Sequence, residues 1–405
     1  MPYEGDNMTG LRRNNRSACL YALHRQGSMS RKRLAETLKL TPAAVSIITG
    51  ELIGQGLLRE GPLVAEGRAG RREILLEPAP RAGWAAGVVI NVGQAILSAV
   101  WLDGTVIFSE EAVLPTAADA EETVRTLSGR LSALWTDHGL DLKRAVGLGI
   151  AIRGVTSPDG RSVRRSFGAL DGSDYPICQR FEAYTGLRAV LANNVRALFA
   201  AQLFLARDEE VTSQFFLRCE YGIGAAFAIG GQIWRGDSGQ CAEIGHIPAV
   251  RRGGKPCSCG KTGCLETIAS PAAICEDARA ILSPDRTPVL WAQSGGRPEK
   301  VTAEDVLDAA QNGDAGAAAV VEGAIRALAA ALRSVIYLLD PGKIVLYGRM
   351  FDHPYYLAHL QAEVREGLDA GHNVPLQPSV YNHMLENRAA GLLAVTDFFD
   401  RGGVL

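Results

Sequence analysis

Apolar residues recur at helical spacing through the first part of the chain. Leu11, Ala18, Leu20 and Leu23 fall on one face of a helix that Gly27 would end. Ser30 suits the N-cap of a second, short helix with Leu34, Ala35 and Leu38 turned inward. After a break at Lys39-Leu40, Thr41 as N-cap and Pro42 at the first helical position open a third helix to about Ile53, burying Val45, Ile48 and Leu52. Helix, short turn and helix at this spacing predict a helix-turn-helix. Two short strands follow, Gly56–Glu60 and Arg72–Leu76, and the tip between them is rich in glycine and arginine. They read as a wing, and Glu77–Gly83 as a linker.

From Trp84 the period changes. WAAGVVINV, AILSAVWL and TVIFSE, separated by Gly93 and Asp103-Gly104, predict a three-stranded meander. QFFLRCE, AAFAIG and QIW, separated by Tyr221–Gly224 and Gly230-Gly231, repeat it. Each meander precedes helical sequence, which implies a duplicated α/β body.

Charge sharpens the front end. Residues 1–80 carry twelve Lys/Arg against eight Asp/Glu, a balance of +4, and the remainder carries thirty against thirty-six, a balance of −6. A basic module on an acidic body points the N-terminus at a polyanion. The expected DNA contacts are Arg31 and Lys32, then Thr41, Ala43, Ala44, Ser46 and Thr49 of the third helix, then Arg68 and Arg71 of the wing. The third helix also turns Ile47 and Gly50 outward. With no Arg, Asn or Gln on that face, methyl contacts to thymine are expected over bidentate base reading. The 405 residues suit two or three domains. No apolar run approaches membrane-spanning length, the N-terminus lacks a signal-peptide core, and eight cysteines do not make a secreted framework, so the expected location is the cytoplasm.

Candidate chemistry concentrates between Glu243 and Glu266. His246, Cys257, Cys259 and Cys264 supply the four N/S ligands of a closed tetrahedral zinc site. Three cysteines within eight residues of glycine-rich loop cannot all be core thiols, and four protein ligands favour a structural ion over a catalytic one.

The same stretch, Glu-Ile-Gly-His followed by Cys-x-Cys-Gly-x-x-Gly-Cys-Leu-Glu, resembles the ROK family of repressors and sugar kinases, and the resemblance extends over nearly the whole chain. It implies an α/β fold: an N-terminal winged helix-turn-helix (1–80), then a duplicated actin-like, hexokinase-type (ribonuclease H-like) two-lobe domain carrying a structural zinc loop. The first lobe would span 81–194 and be completed by 385–405, with a last helix crossing back to it. The second would span 195–384. The winged helix resembles that of ROK repressors, which the family's kinases lack.

Where the family's kinases carry Asp-x-Gly-Gly-Thr, this chain has Val89-Ile90-Asn91-Val92-Gly93. Glu220-Tyr221 stand where small and hydroxyl residues would cradle phosphate, and a carboxylate there repels it. Near Tyr347-Gly348-Arg349 one glycine of the usual pair is missing. No ATP binding is therefore expected. The family's catalytic aspartate is replaced by Asn194, which cannot act as a base but can hydrogen-bond a hydroxyl. Asn193 or Asn194 also suits the N-cap of the following helix. By position Asn193, Asn194, Glu243, His246 and Glu266 match the family's sugar-holding residues, with His246 using one ring nitrogen for zinc and the other toward ligand. Arg153, where the family usually has proline, points to an acidic or phosphorylated sugar. The chain thus reads as a non-enzymatic, sugar-responsive repressor of carbohydrate genes. It would act on operator DNA as a homodimer or tetramer, with a sugar closing the cleft between lobes and so shifting the spacing of the winged helices. A ROK sugar kinase is the alternative.

Overall fold

A computed structural model of the chain describes residues 8–65, 72–115, 119–166, 170, 174–206, 212–369, 371–381 and 384–404. The N-terminal helices are Met8–Gln26, Arg31–Leu38 and Pro42–Gly54. The expected caps form: Ser30 Oγ accepts from the Arg33 N–H at 3.2 Å and Thr41 Oγ1 from the Ala44 N–H at 3.2 Å. Strands Leu58–Ala65 and Arg72–Pro78 pair antiparallel, and Met29–Ser30 adds a short third strand beside the latter. Arg68 and Arg71 lie outside the described residues.

The duplication is a repeat of sheet topology. In the first sheet the meander Trp84–Asn91, Gln94–Trp101, Val106–Val113 is extended from its first strand by two parallel strands, Ala145–Ile152 and Ala189–Asn193. In the second sheet the meander Ser213–Cys219, Ile223–Ile229, Gln232–Trp234 is extended in the same way by Lys343–Tyr347 and Leu376–Pro378. Such five-stranded mixed sheets need helices on their faces to bury both sides.

The chain forms two compact units, Met1–Glu210 with Met384–Leu405, and Val211–His383. This differs from the expected division in two places. Helix Asn194–Leu205 belongs with the first unit rather than the second, because its buried residues Ala197, Phe199 and Ala201 pack among that unit's elements, chiefly helix Ala389–Asp400. Residues 1–80 do not stand apart either. Arg16 Nε donates to the Gly402 carbonyl at 2.7 Å, His24 Nε2 lies 2.8 Å from the Phe204 carbonyl, and the His24 ring stacks on Phe204 at 4.0 Å.

Helix Ala389–Asp400 crosses back onto the first sheet, as the resemblance implied. Glycine makes the approach possible. A Cβ at Gly149 would fall 1.6 Å from the Ala390 carbonyl oxygen, and one at Gly87 2.5 Å from the Gly391 nitrogen.

The sequence also hid a long apolar helix. Ala315–Leu339 runs 25 residues with a mean hydropathy of 1.5 over its most apolar window, so by length and composition it could cross a membrane. Here Val321, Ile325, Leu328 and Leu332 are buried in the core of the second unit, while Glu322 and Arg326 pair at 3.3 Å on its exposed side. Ten of its residues are buried, so its apolar face is that of a core helix.

Gly149→Ala is expected to destabilise the first unit by about 3 kcal/mol, because backbone rather than a movable side chain fills the space. Thermal unfolding measures this, and a midpoint unchanged from the parent would contradict the close packing.

Candidate functional site

The loop from His246 to Cys264 is pinned by backbone before any cation is considered. Pro248 bridges to Cys264 and Pro256 to Thr262, and the Cys257 N–H donates to the Lys261 carbonyl at 2.8 Å. Gly263 has a φ of +72°, and a Cβ there would lie 2.4 Å from the Val250 carbonyl oxygen. Only glycine fits both conditions.

This folding brings the ligand atoms of His246, Cys257, Cys259 and Cys264 within 4.8 Å of one another. The Cys259 and Cys264 sulfurs are 3.6 Å apart, and Cys257 Sγ is 3.5 Å from His246 Nδ1. Two thiolates each about 2.3 Å from one tetrahedral ion would sit about 3.8 Å apart. The donor set and its spacing therefore fit a four-coordinate cation, with Nδ1 as the ligating nitrogen. Burial, with a smaller contribution from the neighbouring Glu266 carboxylate, pushes the Cys257 thiol up to about 12.

Glu266 is more closely tied to this cluster than its position in the sequence suggested. Its Oε1 accepts from Cys257 Sγ at 3.1 Å and lies 3.6 Å from His246 Nδ1. Its Oε2 would lie 3.0 Å from a Cβ at Gly222, so it also borders the second meander's turn. Glu243 is exposed and precedes the short 3-10 turn Ile244–His246. Ala242 before it has a φ of +65°, costly for a residue with a Cβ. Sequence reasoning missed that strain, since nothing in the residue type signals it.

On the first unit, Asn193 ends a strand and caps helix Asn194–Leu205. Its Oδ1 accepts from the Val195 N–H at 2.9 Å and its Nδ2 donates to the Gly154 carbonyl at 2.8 Å. Asn194, the first helical residue, is half-buried, and its Oδ1 lies 2.9 Å from the same N–H. The capping role is real for Asn193, whose amide is engaged at both ends, although each end can make a second bond. Asn194 retains its amide nitrogen for other partners.

The phosphate-type turns have specific occupants. The first meander turn is the two-residue Val92-Gly93, with Val92 exposed. In the second unit, Glu220 Oε1 accepts from the Arg349 N–H at 3.2 Å, so a carboxylate of the chain occupies a backbone donor at the Gly348-Arg349 turn. A Cβ at Gly348 would lie 2.0 Å from the Cys219 carbonyl oxygen.

The N-terminal face needs one correction. Thr49 is fully buried, and its hydroxyl donates to the Val45 carbonyl at 2.8 Å while accepting from Arg31 Nε at 3.1 Å, so it does not reach outward. Arg31 also pairs with Glu60 at 2.9 Å and Lys32 with Glu73 at 3.7 Å. Ser46 Oγ is returned to the Pro42 carbonyl at 2.8 Å. What remains outward on the third helix is Thr41, Ala43, Ser46, Gly50 and Ile47, the last 62% exposed, with Ala44 half-buried.

The ROK family pattern matches residues 88–395. The chain belongs to the ROK family. As a ROK protein it is 29% identical, over 339 residues, to the DNA-binding transcriptional dual regulator NagC of Escherichia coli K12, spanning 82% of this chain and 80% of that one. It is 27% identical over 267 residues to a glucokinase of Halalkalibacterium halodurans, covering 65% of this chain and 80% of the kinase. A solved ROK family transcriptional regulator, described as a homologue of the E. coli MLC protein, superposes with a TM-score of 0.80 at 23% identity. It covers 97% of this chain and 98% of its own. This ROK chain therefore has the α/β, actin-like sugar-kinase-type fold.

Asn193→Ala is expected to lower stability by about 1 kcal/mol through loss of the cap, and Asn194→Ala by less than half of that. Equal losses in denaturant titrations would mean that both amides serve the helix alone.

Proposed function

We propose that this chain is a sugar-responsive DNA-binding repressor whose kinase-type body senses rather than phosphorylates. The observation that carries the reading is the state of the nucleotide turns. Glu220 holds the Arg349 N–H from within, and the strand-to-helix junction offers Asn194, an amide, where phosphoryl transfer to a sugar hydroxyl needs a carboxylate base. The similarity to NagC across four-fifths of both chains supports the regulatory reading.

In this reading helices Arg31–Leu38 and Pro42–Gly54 with the hairpin 58–78 form a winged helix-turn-helix on operator DNA, two copies acting on paired half-sites. Arg68 and Arg71 of the wing reach phosphates or the minor groove. Ala43 and Ile47 offer methyl contacts to thymine. Asn193, Asn194, Glu243, His246 and Glu266 are the proposed sugar contacts. Carboxylates and amides suit vicinal hydroxyls because each pairs donors with acceptors.

The first unit supplies a physical route from ligand to DNA. Helix Asn194–Leu205 begins at the candidate sugar contacts and ends against His24, on the helix that packs beside the DNA-binding pair. A sugar that prefers one placement of that helix would bias the N-terminal helices by the same free energy.

Zinc held by His246, Cys257, Cys259 and Cys264 would be structural. It would fix the loop between Glu243 and Glu266 and supply no step of chemistry. One zinc per chain is expected by elemental analysis, and Cys259→Ser should lose the ion and the sugar response together. A zinc-free variant with full response would refute this role.

Asn194→Ala or Glu243→Ala should abolish sugar-driven release from promoter DNA while DNA affinity stays within about threefold, a change under 1 kcal/mol. Fluorescence anisotropy on the full chain reads both quantities. Joint loss of DNA binding and sugar response would count against a separate sensor.

A further inference from the structure

A cavity of about 630 Å³ lies within the first unit, where the DNA-binding helices, the linker, the first lobe and the C-terminus meet. None of the residues discussed as sugar, zinc or nucleotide contacts lines it. Its apolar lining includes Leu57, three linker positions from Pro78 to Pro80, Val146 and Phe398. Its charged lining is entirely basic: Arg59, Arg81, Lys143 and Arg144.

All four are exposed, so water screens their mutual repulsion, and an anion gains most from them where the apolar lining excludes water. Arg59 has Glu77 at 2.9 Å. Arg81 lies over the Trp101 ring at 6.0 Å, which orients the guanidinium without cancelling its charge. Arg81, Lys143 and Arg144 have no carboxylate ion-pair partner among the described residues. The nearby Asp141 is turned to the backbone, its Oδ1 accepting from the Lys143 N–H at 3.0 Å. Three basic residues without a carboxylate partner thus border a concavity that apolar residues also line, and volumes of about 300–1,000 Å³ are those of small-molecule sites.

We propose that this cavity binds a small organic anion, a phosphomonoester with an apolar body. Lys143, Arg144 and Arg81 hold the dianion, and Leu57, Val146 and Phe398 cover the apolar part. Charge-assisted hydrogen bonds from guanidinium and ammonium are the strong ones for phosphate oxygens. The site does not rest on the sugar reading, and the probe is chosen to keep the two apart.

Phenyl phosphate carries a dianion and an aromatic body but no sugar hydroxyls. Calorimetric titration of the full chain should show saturable one-to-one binding of phenyl phosphate and none of phenol. Lys143→Ala with Arg144→Ala should weaken it about tenfold or more, and Arg81→Gln, which removes the charge but keeps a polar side chain, should also weaken it. Saturable binding that both variants leave unchanged would overturn the proposal, as would the absence of saturable binding. If phenyl phosphate fails to bind while the double variant loses more than tenfold in promoter affinity, the cations serve the DNA backbone and the cavity is not a ligand site.

Discussion

The first unit depends on backbone packed directly against backbone. Helix Ala389–Asp400 lies so close to strands Trp84–Asn91 and Ala145–Ile152 that only Gly87 and Gly149 can stand at the crossing. Three further contacts follow from that placement. Helix Asn194–Leu205 packs on it, the C-terminal turn holds Arg16 through the Gly402 carbonyl, and Tyr21 donates to Asp400 at 2.9 Å. The N-terminal helices are therefore fastened to the sheet through the last helix of the chain. A linker alone would leave them free to move independently of any ligand.

This fastening is what a regulator needs and a kinase does not. A kinase moves its ligand-binding parts to exclude water and complete a catalytic constellation. A sensor must transmit the motion further, and transmission needs packed elements with a shared placement. Here the chain has the family's fold, and the proposed sensor role rests on what stands in two of its turns. Val92 stands in the first turn, and the Glu220 carboxylate accepts from the Arg349 N–H. Displacing that carboxylate would cost a hydrogen bond.

Much of this was legible in the sequence because it rests on local chemistry. Ser30 and Thr41 are caps by residue type, and both cap. The two meanders follow from alternation and turn residues, and the Cys/His spacing follows from ligand chemistry. Other features depended on contacts between distant segments. Thr49 looked outward by helical spacing, yet its hydroxyl is drawn in by the Val45 carbonyl and Arg31. Helix Asn194–Leu205 looked like the start of a second lobe, because the partner that claims it lies almost two hundred residues later. Glu266 matched a sugar ligand by position, while its Oε1 is engaged with Cys257. The Glu220–Arg349 bond and the φ of Ala242 leave no mark on composition or period.

The central claim is that ligand binding alone, without phosphoryl transfer, controls the DNA complex. It is tested most directly by fluorescence anisotropy of the full chain on DNA from its own promoter region, titrated with a panel of sugars with and without ATP. The account predicts release by one class of sugar at the same concentration whether or not ATP is present, with no phosphorylated product. Release that requires ATP and yields phosphorylated sugar would contradict it, and would make Asn194 compatible with catalysis.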